Sequence, residues 1–217
     1  MGTILDKIFD TKKEELEDTR RSLPLATLKT RIREPSAVRD VRPALESSPP
    51  HRILAEIKRR TPFKGELRPD FDPLRLARVY AEHGACAISV LTESNYFGGR
   101  LEFLSEIRSR VDLPLLRKDF ILDEYQVYES RVFGADFYLL IATWLDKNHL
   151  ADLLALGREL GLSALVETHS EKDMEKAFRA DASLIGINNR DLATGKTDLE
   201  VSRRLIGMAR QVPGTLR

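Results

Sequence analysis

The chain has 217 residues, 42% of them hydrophobic, and 35 basic side chains against 34 acidic ones leave a net charge of +1. That length is most simply one domain with room for a substantial core, and so even a balance gives no general footprint for nucleic acid. No apolar run is long enough for a membrane span, no signal-peptide pattern opens the chain, and the single Cys86 excludes an internal disulfide or a cysteine metal site, so a soluble cytoplasmic protein is expected.

In chain order, Ile4, Ile8, Phe9 and Leu16 stand among charges and predict an amphipathic helix over 3–17. Pro24 interrupts it. A second helical piece is expected from about Asp40, its N-cap, with Pro43 tolerated only near the start. Pro49 and Pro50 then close an N-terminal helical extension, residues 1–50. From His51 the texture changes. Short apolar runs at 52–58, 86–91, 113–118, 137–141, 163–167 and 184–188 alternate with amphipathic segments near 72–83, 101–110, 123–133, 146–160, 170–180 and 198–210. Asp72-Pro73 reads as an N-cap followed by Pro at the first helical position, and Gly134 and Gly161 sit just past two helices. Strands that start about 20–35 residues apart have the repeat of a βα unit, and six units in series predict a parallel sheet over 51–217.

A closed barrel and an open doubly wound sheet both fit this alternation. The polar residues help to choose. Glu56 and Lys58 end the first run, Lys118 the third and Glu167 the fifth, with Asn188 and Arg190 at or past the end of the sixth. With a side-chain period of two, Leu116 and Lys118 share a face, as do Leu165 and Glu167. Two readings of Lys118 stand at this point: an ammonium carried into a site at the strand end, or a strand that stops at Arg117 with Lys118 solvated. Four strand ends aiming ionisable or amide groups at one mouth suit a barrel, whose strand C-termini converge there. An open sheet would show a Gly-rich turn at a switch point, and no G-x-G-x-x-G or P-loop appears.

Five blocks then carry a specific resemblance: A-E-I-K-R-R-T-P-F-K-G (55–65), S-V-L-T-E-S-N-Y-F-G-G (89–99), L-R-K-D-F-I (116–121), L-V-E-T-H (165–169) and I-G-I-N-N-R-D-L (185–192). In order and spacing they resemble indole-3-glycerol phosphate synthases, from the N-terminal helices to about residue 210. The resemblance implies a TIM (β/α)8-type barrel with a helical extension over its mouth. It implies closure of 1-(2-carboxyphenylamino)-1-deoxyribulose 5-phosphate to indole-3-glycerol phosphate, in tryptophan biosynthesis, with loss of carbon dioxide and water. A small phosphorylated substrate is implied, with no metal or organic cofactor.

By the same resemblance Lys58 and Lys118 match the catalytic lysines, Glu167 the glutamate of dehydration, and Glu56 a glutamate that orients Lys58, the other reading of Glu56 being a structural ion pair. Thr61, Asn188 and Arg190 match substrate-contacting positions. Phe97, Phe120, Leu139 and Leu192 match the apolar lining, with ordinary core packing as the alternative for each. Trp144 packs on the mouth or under a loop. His51, His83, His149 and His169 show no ligand spacing, and surface or loop roles are expected of them. Cys86, in an apolar run, reads as an inert buried thiol.

The chain departs from the family at Thr61, Phe63 and Arg100, and most of all at its end. The family's seventh strand, with a Ser-Glu-Ser-Gly block, and its eighth, with a Gly-rich phosphate loop, have no counterpart here. Lys58 and Arg190 are the remaining phosphate donors. The expectation is therefore an incomplete barrel of six βα units whose open edges associate with another chain, and which alone is not an active, stable monomer. A non-catalytic fragment and another phosphate-handling barrel enzyme are the competing readings.

Overall fold

The computed structural model describes residues 4–32, 37–47, 52–191 and 194–210. Six parallel strands lie side by side in chain order: β1 (Leu54–Ile57), β4 (Ala87–Leu91), β5 (Leu115–Lys118), β6 (Phe137–Ile141), β7 (Ser163–Thr168) and β8 (Leu184–Ile187). Between them run α4 (Pro73–Glu82), α5 (Glu102–Arg108), α6 (Glu124–Val132), α7 (Lys147–Glu159) and α8 (Glu171–Arg179), and α9 (Glu200–Ala209) follows β8. The sheet curls into an incomplete barrel, as expected. Within the described residues, β1 pairs only with β4 and β8 only with β7.

The alternation read from the sequence sorts the side chains onto two faces. Ile57, Ile88, Val90 and Leu115 face outward onto Ala77 of α4 and Phe103, Leu104 and Ile107 of α5. Tyr138, Leu140, Val166 and Ile185 do the same with Val127, Leu150, Met174 and Leu205 of the later helices. The inner face carries Ala87, Leu116, Phe137, Leu139 and Leu184. Each fully buried side chain of this kind contributes about 1.5–3 kcal/mol relative to exposure.

The helices begin and end where the local chemistry asks. Asp72 caps α4 by accepting from Leu74 N and Arg75 N, with Pro73 at the first helical position, a cap worth about 1 kcal/mol. Asp146 and Ser170 cap α7 and α8 in the same way. Gly134 and Gly161 follow α6 and α7 at φ +85° and +74°, the left-handed step that reverses the chain.

The extension differs from expectation. The first helix, α1 (Ile4–Ser22), is longer than predicted; Pro24 interrupts it as expected and stands at the N-cap of a further helix, α2 (Leu25–Arg31). Of the extension's described helices, α1 alone reaches the mouth. The third helix, α3 (Val41–Ser47), lies at the opposite end, where Val41 and Leu45 fill the inner face among Leu54, Ala87 and Leu184. Arg39 N donates to Asp136 Oδ1 at 2.6 Å and Arg42 donates to Ser183 O, both at the starts of strands. Asp40 accepts from Arg42 N at 2.9 Å, so Pro43 falls in the first turn and costs no hydrogen bond. The expected boundary at Pro49-Pro50 lies outside the described residues. A short antiparallel hairpin, β2 (Arg60–Thr61) and β3 (Gly65–Glu66), stands where only a loop was expected after β1.

One contact behind the sheet makes a stability test. A Cβ on Gly157 of α7 would lie 2.2 Å from Tyr138 Oη, a buried hydroxyl that donates to Leu153 O at 2.6 Å. Gly157→Ala is expected to destabilise the fold by about 1–3 kcal/mol through overpacking, read as a Tm lowered by several degrees. An unchanged melting curve would show that Tyr138 moves aside at no cost.

Candidate active site

The strand C-termini surround a cavity of about 400 Å³. Glu56, Lys58, Thr61, Phe97, Lys118, Phe120, Leu139, Glu167, Asn188 and Arg190 all line it, with Ile8 of α1, Phe63, Leu91, Ile141 and Leu165 adding apolar wall. Leu192 lies outside the described residues.

β5 runs through Lys118, whose register partner is Leu91, so the strand carries the ammonium into the cavity rather than stopping short of it. Lys118 Nζ lies 3.2 Å from Glu167 Oε2. Asn188 Nδ2 donates to Glu167 Oε1 at 3.0 Å. Three strands thus bring three chemistry-bearing groups together. Burial pushes the Glu167 carboxyl up, but Lys118, the Asn188 amide and, in its protonated form, His169 outweigh it and leave it below its ordinary value. Glu167 is therefore a carboxylate at neutral pH. Across the cavity Lys58 Nζ is paired with Glu56, both half-buried. Arg190 N donates to Asn188 Oδ1 at 2.9 Å, which fixes the amide so that its nitrogen faces Glu167.

Loops finish the wall. Glu93, 1% exposed, accepts from the backbone N–H of Asn95, Tyr96 and Phe97 at 2.8–2.9 Å and folds the S-N-Y-F turn that delivers Phe97. Burial nevertheless raises its pKa. Gly99 is required here, because a Cβ would sit 2.3 Å from Leu91 O. Phe97, Phe120, Trp144 and Phe9 of α1 form a chain of ring contacts with centroids 4.4–6.2 Å apart. Trp144 thus packs on the mouth, under α1. The Phe63 ring lies against Gly195, across the opening from the hairpin. Arg100 sits over the Phe103 ring, outside the cavity.

Sequence reasoning missed the charges beneath this wall. Arg117 is turned outward into the protein, where it meets Glu129 Oε2 at 2.7 Å, Asp119 Oδ2 at 3.2 Å and Gln126 O at 2.9 Å. Lys12 of α1 reaches Asp119 Oδ1 at 3.1 Å and Glu15 at 2.8 Å. Burial disfavours the charge on Asp119, yet Lys12 and Arg117 overcome it and hold the carboxyl well below the usual carboxylate range. This pair pins α1 beside the mouth. His169 stands in the bend just past β7, the loop position expected of it, and from there its half-buried ring places Nε2 3.4 Å from Glu167 Oε1. The E-T-H spacing, two residues apart, was the available signal for that contact. Cys86 is buried and bonded to Ile53 O, with its thiol pushed up by burial, in keeping with inertness.

Among the described residues no group of His, Cys, Asp and Glu could hold a metal ion, and no helix is long and apolar enough to cross a membrane.

Known proteins speak to the same residues. The family model for indole-3-glycerol phosphate synthase matches residues 5–214. An indole-3-glycerol phosphate synthase of Roseiflexus sp. (strain RS-1) is 47% identical over 214 residues, covering 96% of this chain and 80% of that protein. One from Laribacter hongkongensis is 45% identical over 209 residues, covering 95% and 80%. One from Desulforamulus reducens is 46% identical over 203 residues, covering 94% and 77%. With a match over nearly its whole length, and with the five blocks gathered around one cavity, the chain belongs to the indole-3-glycerol phosphate synthase family.

Proposed function

We propose that the chain converts 1-(2-carboxyphenylamino)-1-deoxyribulose 5-phosphate to indole-3-glycerol phosphate by general acid–base catalysis. The observation that carries this reading is the Lys118–Glu167–Asn188 cluster on the floor of a cavity walled by Phe97, Phe120 and Leu139. The wall suits the arylamine. The ring carbon that bears the carboxylate attacks the ribulose carbonyl, and Lys118 protonates the carbonyl oxygen as the bond forms. Loss of carbon dioxide restores the aromatic ring. Glu167 then takes a proton from the newly closed ring while the hydroxyl leaves as water, protonated by Lys58. Glu56 orients Lys58. Asn188, Thr61 and Arg190 contact substrate, with Lys58 and Arg190 nearest in charge to what the phosphate needs, and Leu192 belongs to the apolar lining. Proton transfers suffice for every step, so no metal or organic cofactor is required.

The reading includes a division into a helical extension, 1–50, and a barrel portion, 51–217. It also includes association between chains through the open edges of β1 and β8. The test is to supply the substrate at high chain concentration and follow the fluorescence of the indole product. Product formation is expected from the wild-type chain. Glu167→Gln is expected to lower kcat much more than it changes KM, because the amide keeps the shape but cannot take a proton. Folded wild-type chain that forms no product, or a Glu167→Gln variant with only KM raised, would overturn the assignment of Glu167 to proton transfer.

A further inference from the structure

His169 occupies the loop position expected of it, and its surroundings there are built around one proton. Thr143 Oγ1 donates to Asp173 Oδ2 at 2.9 Å, and Asp173, 5% exposed, is itself fixed by accepting from His169 N at 3.2 Å. The threonine hydroxyl has one hydrogen, and that hydrogen is spent on Asp173. Toward His169 Nδ1, 3.3 Å away, the same hydroxyl can only accept. Nδ1 must then carry the ring proton. In the neutral imidazole this leaves Nε2 as a bare lone pair. Nε2 is buried, makes no hydrogen bond among the described residues, and lies 3.4 Å from Glu167 Oε1. A lone pair beside a carboxylate oxygen has nothing to share with it. It becomes a good acceptor once that oxygen bears a proton.

We infer that His169 is a positioning residue: held as its Nδ1–H tautomer by Thr143 and Asp173, it offers Nε2 to the protonated form of Glu167 and so sets the basicity of that carboxylate. The inference rests on the reading of Glu167 as the base of dehydration. In that step the C–H electron pair becomes the new ring double bond, the hydroxyl departs with its own pair, and the proton stays on Glu167 Oε1, where Nε2 accepts the hydrogen bond. The groups facing His169 are Glu167 on β7, Lys118 on β5, Asp173 on α8, Thr143 beyond β6 and Asp191 beyond β8. Burial lowers the imidazole pKa, and although Glu167 and Asp173 pull it back the net is a lowering, which keeps the ring neutral at neutral pH. Once acid protonates Nε2 it becomes a donor, stabilises the carboxylate, and opposes proton uptake by Glu167. Activity should therefore fall on the acid side as His169 titrates, below the ordinary histidine range.

Three measurements test this. Nitrogen-15 spectra of the chain should show His169 as the Nδ1–H tautomer, a readout that needs no turnover, and an Nε2–H tautomer would overturn the inference. His169→Leu should lower kcat by about tenfold, the worth of one such hydrogen bond, leave KM nearly unchanged, and lose the acid limb. His169→Gln, whose carboxamide oxygen can accept the same bond, should recover most of kcat while still lacking that limb, and it carries the test if the leucine variant fails to fold. Wild-type kcat and an unmoved acid limb in either variant would sink the role of His169. Glu167→Gln, run alongside, separates the two ideas: if it is inactive while the His169 variants are normal, only the inference fails, and if it turns over normally the base itself was misassigned.

Discussion

Lys118→Met is expected to abolish indole-3-glycerol phosphate formation while the chain still folds. Methionine keeps the length and apolar stem of lysine, and β5 is held by its pairing with β4 and β6, not by the ammonium. What is lost is the ammonium that lies 3.2 Å from Glu167 Oε2. Losing a general acid typically costs about 10²–10⁴ in rate. The variant should also show a Glu167 carboxyl with a raised pKa, since burial then goes unopposed by the lysine charge. The checks are kcat/KM, the melting temperature and a titration of Glu167. Turnover within about tenfold of wild type, far above the usual cost of removing a general acid, would move the acid elsewhere, with Lys58 the next group to try.

Why Lys118 could be found from sequence, and Lys12 could not, is a matter of range. A strand's period of two links Leu116 to Lys118 and Leu165 to Glu167 within a few residues. Once the apolar members of each pair are assigned to the barrel interior, the polar members follow them into the mouth. The Lys12–Asp119 pair spans 107 residues between a helix and a strand end, and neither local pattern names the other. Arg117 reads as part of the same charged run as Lys118, but the alternation sends it to the other face, against Glu129 of α6. The extension shows the same limit. Its helices are legible as amphipathic stretches, but nothing in Val41 or Leu45 says that α3 fills the base of the sheet while α1 covers the mouth. Phe120 and Leu139, for which cavity lining and core packing stood as alternatives, do both, lining the cavity while packing with the inner-face core. Glu93 is another kind of omission. A glutamate in a polar loop looks solvated, and only the folded turn reveals that three backbone donors converge on it.

The chain at working concentration is expected to run as more than one copy per particle, and to lose both activity and stability on dilution to the 24.7 kDa monomer. Within the described residues, one edge of β1 and one edge of β8 have no strand beside them. Such edges present rows of backbone donors and acceptors that template a further strand. Beside β8 this edge borders an apolar hollow made by Ile185, Ile187 and Ile206, and Ile53, at the start of β1, is 53% exposed. The two edges belong to parallel strands of one sheet, so the β8 edge of one copy suits the β1 edge of the next, a heterologous contact between different patches. Domain stability is only about 5–15 kcal/mol in all. Capping an exposed edge and covering the hollow are therefore large terms, and the cavity, whose walls end at β1 and β8, shares their fate. Light scattering across a concentration series should show the shift in mass, with specific activity falling in step. Ile206→Glu, which puts a charge into the hollow without touching the cavity, should bring the chain to a monomer of low activity. A single 24.7 kDa species with full turnover at every dilution would overturn the edge argument and require that the six strands close their own site.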